Sequence, residues 1–244
     1  MSYQENPYQV FNAYGTAQFA AVDVRAAFIR RTYTHLAFAV AAFVGLEWLL
    51  IRSLDAAAVS AWLGASRWSW LIVLAAFVAV SYLADRWARS ATSPVMQYAG
   101  LGLYVVAQAV IFVPLMFLAL DYDPTGNRII MPAAVMTIAT FGAMTAIVFI
   151  TARDFSFLRT ALLLGGLVAL GLIVVSIFAG FELGYLFIGA MLVLACGYIL
   201  YDTSNVLHHY RTDQHVSASL ALFASVALLF WYMIQLFMRL RGDD

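Results

Sequence analysis

Seven long apolar stretches dominate this sequence and restrict it to a fold built within a lipid bilayer. A hydrocarbon core about 30 Å thick needs about 20 apolar residues per helix, and charged or turn-forming segments separate the seven stretches. Only 11% of the 244 residues are charged, against about 25% in an ordinary soluble domain. We therefore predict an all-α integral membrane protein, a bundle of seven transmembrane helices. The predicted spans cover residues 33–52, 68–84, 95–119, 129–151, 157–180, 182–204 and 216–239.

The start of the chain differs in composition from the rest. Residues 1–20 contain no long apolar run, which predicts a polar, flexible N-terminal segment followed by a seven-helix domain over residues 21–244. Arg25, Arg30 and Arg31 precede the first span without the features of a removable signal peptide. We expect the first span to direct its own insertion into the membrane.

The distribution of arginine predicts the orientation of the bundle. Eight arginines fall on the side where the chain starts, which we call the arginine-rich end, and five fall on the opposite end. Basic residues favour the cytoplasmic side, so we expect a multi-pass protein with a cytoplasmic N-terminus and an external C-terminus. The eight are Arg25, Arg30, Arg31, Arg86, Arg89, Arg153, Arg159 and Arg211.

Composition also excludes several classes of function. The formal net charge is zero and no basic run occurs, so nothing predicts binding of nucleic acid. The sequence has no lysine, which excludes a retinal pigment bound as a Schiff base. Cys196 is the single cysteine, which excludes an intramolecular disulfide and a cysteine metal cluster.

A polar face near the end of the sixth span is the strongest functional signal. Tyr198, Asp202, Asn205 and His209 are spaced i, i+4, i+7 and i+11, so on a helix they share one face. An ionisable residue within a span is costly and functional by default. Two interpretations of Asp202 remain open: a helix-end carboxylate in the headgroup region, or a desolvated carboxylate that gains a proton near neutral pH and gates or binds a cation.

The chemistry of this face favours a hard cation. Carboxylate and amide or hydroxyl oxygens are ligands for calcium, and Asp202 with Asn205 and Thr203 offers some of them. One carboxylate is a poor calcium site, so we expect a second oxygen-bearing partner on a neighbouring helix. The seventh span is rich in small residues and carries a polar stripe at i, i+7 and i+10: Ser225, Tyr232 and Gln235.

Other charged residues have simpler interpretations. Glu47 and Glu182 lie near the ends of their spans and are expected to reach the interface. The charged residues that close the second span are interpreted as a helix boundary, and Asp154 as a cap of the following helix together with Ser156. A loop metal site is the alternative to a solvated loop for three histidines beside Asp213: His208, His209 and His215.

Enzyme chemistry is not predicted. Tyr201-Asp202 resembles the Tyr-Asp motif of intramembrane aspartyl proteases, but the Gly-x-Gly-Asp motif that would supply the second carboxylate is absent. A Gly-x-Ser-Gly nucleophile and a histidine inside a late span are also absent, which argues against a rhomboid-type protease.

Three stretches resemble the Bax-inhibitor-motif family, particularly its bacterial YccA-like branch. Residues 198–205 (Tyr-Ile-Leu-Tyr-Asp-Thr-Ser-Asn) resemble its sixth-helix signature. Residues 151–158 (Thr-Ala-Arg-Asp-Phe-Ser-Phe-Leu) resemble its Thr-Lys-Lys-Asp-Phe-Ser motif, and residues 25–33 resemble its lead into the first helix. The resemblance implies a bacterial inner-membrane protein whose last helix is surrounded by the other six.

The resemblance also implies a site and two functions. Some members are pH-sensitive calcium leaks controlled by facing aspartates on the sixth and seventh helices; Asp202 matches the first, but Ser225 stands at the second position. We expect Asp202, Asn205 and Ser225 to form the ion gate, with Asp202 as the metal ligand and no cofactor beyond transient calcium. Supporting candidates are Tyr198, Tyr201, Thr203 and His209.

The alternative that the resemblance allows is a regulatory interaction protein. In this hypothesis the chain binds or modulates a membrane-anchored ATP-dependent quality-control protease, which grips the polar N-terminal segment.

Overall fold

Eight α-helices form the part of the chain that the computed structural model describes, residues 15–90 and 93–242. Seven of them are long and apolar enough to cross a membrane, which confirms the predicted class. The predicted sixth and seventh spans correspond to α7 and α8. The helices are α1 Val22–Ser53, α2 Ala56–Gly64, α3 Arg67–Ala88, α4 Pro94–Tyr122, α5 Ile130–Thr151, α6 Leu158–Ala179, α7 Tyr185–His208 and α8 His215–Gly242.

Two elements at the ends of the bundle differ from the predicted spans. α1 begins at Val22 rather than at residue 33, because arginine is a good helix former and continues the helix outside the apolar run. α2 is too short to cross a bilayer and is absent from the prediction; the Asp55 side chain caps it by accepting a hydrogen bond from the N–H of Ala57 at 3.0 Å.

Helix α8 is the central helix of the bundle. Half of its most apolar window is buried, a larger share than in any other described span. It packs against α1, α3, α4, α5 and α7, while α6 packs mainly on α7. Buried small residues such as Ala218, Ser219 and Ala227 permit this close approach. The central last helix that the resemblance implied is therefore observed for five neighbouring helices.

The described part of the N-terminal segment docks under the loop that joins α7 to α8. The N–H of Ala17 donates to the carbonyl of Tyr210 at 2.9 Å, and Thr16 forms an isolated antiparallel bridge with Arg211. Ala17 is completely buried in the main core. Residues 15–20 are therefore held at the arginine-rich end. Residues 1–14 lie outside the described residues, and the predicted flexible segment stays a prediction there.

A glycine allows α3 and α4 to approach closely at the same end. A Cβ added at Gly100 would lie 2.5 Å from both the carbonyl oxygen of Ala84 and the N–H nitrogen of Ala88. The absence of a side chain at Gly100 therefore positions the last turn of α3, which carries Asp85 and leads into Arg89.

Candidate functional site

Asp202 forms a buried contact between α7 and the central helix. It is 9% exposed, and the Oγ of Ser225 donates a hydrogen bond to its Oδ2 at 2.5 Å. Because α7 and α8 form an antiparallel hairpin, Asp202 and Ser225, on either side of the connecting loop, lie at the same depth. The partner on the neighbouring helix that the sequence predicts for Asp202 is thus present, as a hydroxyl.

Asp202 lies at one end of a cavity of about 770 Å³ bounded by α3, α4, α6, α7 and α8. The polar stripe of α8 also lines this cavity, as do Trp70 and Leu183 at the opposite end of the bundle. With a rise of 1.5 Å per residue, Tyr232 and Gln235 lie about 10 and about 15 Å beyond Ser225 along α8. The cavity therefore follows α8 through most of the bundle.

Two unpaired polar groups face this cavity between its ends. Ser81 of α3 and Gln108 of α4 both line it. In the described part of the chain the buried Oγ of Ser81 and Oε1 of Gln108 have no hydrogen-bond partner. Buried acceptors without partners are uncommon and costly. Neither residue was predicted to belong to the site, although each is a polar interruption of an apolar run.

An ion pair lies beside Asp202 at the arginine-rich end. The guanidinium Nε of Arg89 is 2.9 and 2.8 Å from the two carboxylate oxygens of Asp85, and both residues line the cavity. Arg89 also interacts electrostatically with Asp202 and Tyr210. Burial raises the pKa of Tyr210, and the neighbouring charge of Asp202 raises it further. The helix-boundary interpretation of Asp85 and Arg89 is therefore incomplete, since they also belong to the site.

Two of the supporting candidates join the site. Tyr198 and Tyr201 both line the cavity. The hydroxyl of Tyr198 donates to the carbonyl of Leu162 on α6 at 3.0 Å. A Cβ at Gly166 would lie only 3.0 Å from that hydroxyl, so the glycine provides the space for this contact. The residues brought together are therefore Tyr198, Tyr201, Asp202 and Ser225.

The other predicted residues lie away from the cavity. Thr203 is fully buried near the hydroxyl of Tyr33, on another face of α7. Asn205 caps the end of α7, where its carbonyl accepts from the N–H groups of His209 and Tyr210 at 2.8 and 2.9 Å. Asn205 and His209 lie about one and two turns beyond Asp202, towards and past the end of α7 at His208, so the predicted four-residue face continues beyond the end of the cavity.

His209 and Asp154 join two connections at the arginine-rich end. The Nε2 of His209 is 3.0 Å from Oδ2 of Asp154, whose Oδ1 accepts from the N–H of Ser156 at 2.8 Å. Partial burial acts to raise the pKa of Asp154, but the hydrogen bonds from Ser156 and the charge of His209 outweigh it and hold the pKa below its ordinary value. Helix α6 starts after Phe157 without a side-chain cap, so Asp154 stabilises the preceding turn instead of the helix.

Ser204, for which no role was predicted, holds this connection against α7. Its Oγ accepts from the N–H of Phe155 at 2.8 Å. The residues of the sixth-helix signature therefore have different tasks: Asp202 faces the cavity, and Ser204 holds the α5–α6 connection.

Glu47 contradicts the expectation that it reaches the interface. It is 5% exposed, and neither carboxyl oxygen has a hydrogen-bond partner among the described residues. Glu182, in contrast, is exposed and lies 3.4 Å from the guanidinium of Arg239. The inward rotation of α1 at Glu47 could not be read from a position near the end of an apolar run.

No group of three or more His, Cys, Asp or Glu side chains converges within residues 15–90 and 93–242. The loop metal site considered for His208, His209 and His215 is thus not formed by the described chain. Asp202 as a metal ligand stays a prediction, with Ser225 as its observed neighbour.

Comparison with known proteins gives a family match over nearly the whole chain. Residues 25–242 match the family model described as "Inhibitor of apoptosis-promoting Bax1". The chain is 34% identical over 119 residues to Bax inhibitor 1 of Schizosaccharomyces pombe, covering 48% of this chain and 45% of that protein. It is 26% identical over 222 residues to Protein LIFEGUARD 4 of Arabidopsis thaliana, covering 88% of this chain and 85% of that protein.

Bacterial relatives are also similar but have no described function. An uncharacterised protein of Pseudomonas aeruginosa is 30% identical over 127 residues, which are 50% of this chain and 54% of that protein. The matches to the Pseudomonas aeruginosa protein and to the fission-yeast protein each span about half of the relative's length. The family model, the seven spans and the central last helix agree, and the chain belongs to the Bax-inhibitor family of membrane proteins.

Proposed function

We propose that this protein is a passive cation conduit, with calcium as the cation and Asp202 as the gate or ligand at the arginine-rich end. The observation that carries the proposal is the Asp202–Ser225 contact at one end of a cavity that follows α8 towards the other end. Calcium prefers carboxylate, amide and hydroxyl oxygens. Along the cavity these are supplied by Asp202, Ser81 and Gln108.

The geometry supports a closed path in this conformation. The hydroxyl of Ser225 donates a hydrogen bond to Oδ2 of Asp202, and the positive charge of Arg89 lies nearby. A cation that enters from the cavity would take the place of the Ser225 hydroxyl on the carboxylate, and movement of Arg89 would open the way out. In the predicted orientation this exit faces the cytoplasm of a bacterial cell.

Calcium flux into proteoliposomes tests the proposal. Wild-type protein is expected to give flux above empty vesicles between acidic and neutral pH. Asp202→Asn is expected to reduce it on the order of tenfold, the effect of losing about 1.4 kcal/mol of charged interaction with the ion. Asp213→Asn is the matched control, because Asp213 is exposed and pairs with Arg211 in the loop at 2.8 Å.

Two results would reject the proposal at different levels. Absence of flux from wild-type protein would remove the conduit itself. Flux that is equal in Asp202→Asn and wild type would remove Asp202 as the gate and leave the conduit.

The contact of the N-terminal segment supports a second candidate, the regulatory partner of a membrane-anchored ATP-dependent protease. Ala17 is bound to Tyr210, so tension applied to residues 1–14 would reach the loop that follows Asp202. In this hypothesis the protease grips the preceding segment and pulls against that contact.

Truncation at two positions tests the second candidate. Deletion of residues 2–14 is expected to lengthen the lifetime of the protein in cells and leave its melting temperature unchanged. Deletion of residues 2–20 also removes buried Ala17 and is expected to lower the melting temperature, so it serves as the control for lost docking. An unchanged lifetime after the shorter deletion would exclude this role for the segment.

A further inference from the structure

Three side chains from three helices converge at the arginine-rich end, outside the cavity that Asp202 lines. The Nε2 of His35 on α1 lies 3.1 Å from the hydroxyl oxygen of Tyr98 on α4. The Nε2 of His215, the first residue of α8, lies 3.4 Å from the same oxygen. The two imidazole rings are 4.9 Å apart between centroids and inclined by 59°. Two imidazole nitrogens therefore face the same position, that of the Tyr98 hydroxyl oxygen.

The surroundings of His35 determine its protonation pattern. Its Nδ1 is 2.7 Å from the carbonyl oxygen of Arg31. A carbonyl can only accept, so Nδ1 carries a proton, and in the neutral imidazole Nε2 is then the ring atom whose lone pair faces Tyr98. A histidine that ligates a metal commonly donates its other N–H to a carbonyl in this way.

His215 is held in place from the other side. The Oγ of Ser219 contacts the carbonyl of Thr32 at 2.8 Å and the carbonyl of His215 at 2.6 Å, which fixes the start of α8 against α1. The Nδ1 of His215 is buried and has no hydrogen-bond partner among the described residues. Its Nε2, 3.4 Å from the hydroxyl oxygen of Tyr98, is the ring atom that faces the shared position.

We propose that His35 and His215 bind a transition-metal dication of the zinc class through their Nε2 atoms, with the oxygen of Tyr98 or water completing the coordination. Zinc binds imidazole nitrogen at about 2.0 Å. Calcium instead prefers oxygen ligands, so the site differs in chemistry from the proposed conduit. Two imidazoles leave open positions, and the site is weaker than a closed four-ligand structural site.

The charged groups near the site act on it with opposite signs, and the same side chains also have a metal-free arrangement. Arg31 and Asp213 act electrostatically on His215 with opposite signs. Without metal, a hydrogen-bonded chain from His215 through Tyr98 and His35 to the carbonyl of Arg31 is also satisfied. The metal replaces the hydroxyl as the link between the two rings and joins α1 directly to α8.

Metal titration of the full chain, purified without a polyhistidine tag, tests the proposal. Zn²⁺ and Ni²⁺ are titrated by calorimetry, and the melting temperature is measured with and without each ion. We expect one ion bound per chain and a higher melting temperature, with Ca²⁺ and Mg²⁺ giving neither at the same concentration. His35→Ala and His215→Ala are each expected to weaken binding at least about tenfold, since each removes one of two protein imidazoles.

The matched control is His208→Ala combined with His209→Ala. It removes the other two of the four histidines in the sequence, and it is expected to leave the binding unchanged. If His35→Ala does not fold, His35→Gln keeps polar contacts to Tyr98 and Arg31 and lacks the imidazole. Folded His35→Gln should then show the same loss of zinc binding.

Two results would overturn the proposal: no zinc binding by wild-type protein, or binding that persists in the His35 and His215 variants. Binding lost only in the His208 and His209 control would place the ion in the loop and equally reject this site. The measurement does not involve flux, so its outcome is independent of the proposed conduit.

Discussion

Asp202 and Glu47 are both acidic side chains buried within spans, and the bundle surrounds them in different ways. Asp202 accepts a hydrogen bond from Ser225 and faces the large cavity. Neither carboxyl oxygen of Glu47 has a partner in the described chain, and Glu47 does not line that cavity. The difference shows that burial of a carboxyl group does not by itself identify a functional site. Asp202 has both a hydrogen-bond partner and an adjoining cavity, so an ion from the cavity could replace that partner on the carboxylate.

The largest effect is expected when a second carboxylate is placed against Asp202. Two unit charges about 4 Å apart repel by about 4 kcal/mol at an effective dielectric constant of about 20. Ser225→Asp is therefore expected to be stable at acidic pH, where the pair shares a proton, and to lose stability as the pH rises. The measurement is the melting temperature between pH 5 and pH 8.

Ser225→Asn is the matched control for this variant, because it adds similar volume without charge. The interpretation fails if both variants show the same pH dependence, since the effect would then come from size.

Removal of the partner of Asp202 is expected to have the next largest effect. Ser225→Ala leaves the buried carboxylate without its hydroxyl donor and should lower the free energy of unfolding by about 1–3 kcal/mol. Ser217→Ala is the control on the same helix, since its Oγ donates to the carbonyl of Gln214 at 3.1 Å near the loop. Equal stability of Ser225→Ala and wild type would show that the hydroxyl contributes nothing and would make Asp202 resemble Glu47.

Glu47 is expected to respond in the opposite direction. Replacing a buried polar group that has no partner by an apolar one of similar size is neutral or stabilising, so Glu47→Leu should raise the free energy of unfolding by about 1 kcal/mol. Glu47→Gln, which keeps a polar group, should change it less. A large loss of stability or of calcium flux in Glu47→Leu would contradict the expected difference between Glu47 and Asp202 and reveal a function for Glu47.

The smallest effect is expected at Asp154, the exposed carboxylate at the arginine-rich end. The pKa of Asp154 is held below its ordinary value, so its contribution is complete above an ordinary pKa of about 3.9 and is lost as the pH falls through the lower folded value. Asp154→Asn should therefore destabilise the protein at neutral pH, by at most about 1 kcal/mol because the pair is half exposed.

Thermal unfolding at pH 7 and at pH 3 measures this difference. The difference in melting temperature between Asp154→Asn and wild type should be smaller at pH 3 than at pH 7. A gap that widens on acidification would contradict the sign of the shift.

Prediction from sequence succeeded where the cause is local. The spans follow from length and hydropathy, because each helix must cross the same hydrocarbon layer whatever its neighbours are. The seventh span was predicted to supply an oxygen-bearing partner for Asp202, and the family resemblance singled out Ser225, which is the residue that contacts it. Helix α2 was missed because it lies outside the length criterion for a span.

Prediction failed where the rotation of a helix about its axis matters. Glu47 near the end of an apolar run is compatible with either lipid or core, and packing against other helices turns it inward. Asp85 and Arg89 resemble an ordinary helix end until close contact at Gly100 places them beside Asp202. His35 and His215 are far apart in sequence, and no spacing rule relates them.

The membrane class, the number of spans and the position of the acidic residue at the end of the sixth span can be predicted from the sequence alone. These depend on transfer of apolar segments into the bilayer, which acts on each helix separately. Three features depend on the tertiary structure: which polar groups face the cavity, the lack of a partner for Glu47 among the described residues, and the contact of two histidines with Tyr98. Those outcomes depend on the packing of small residues between helices, which sets the depth and rotation of every helix relative to α8.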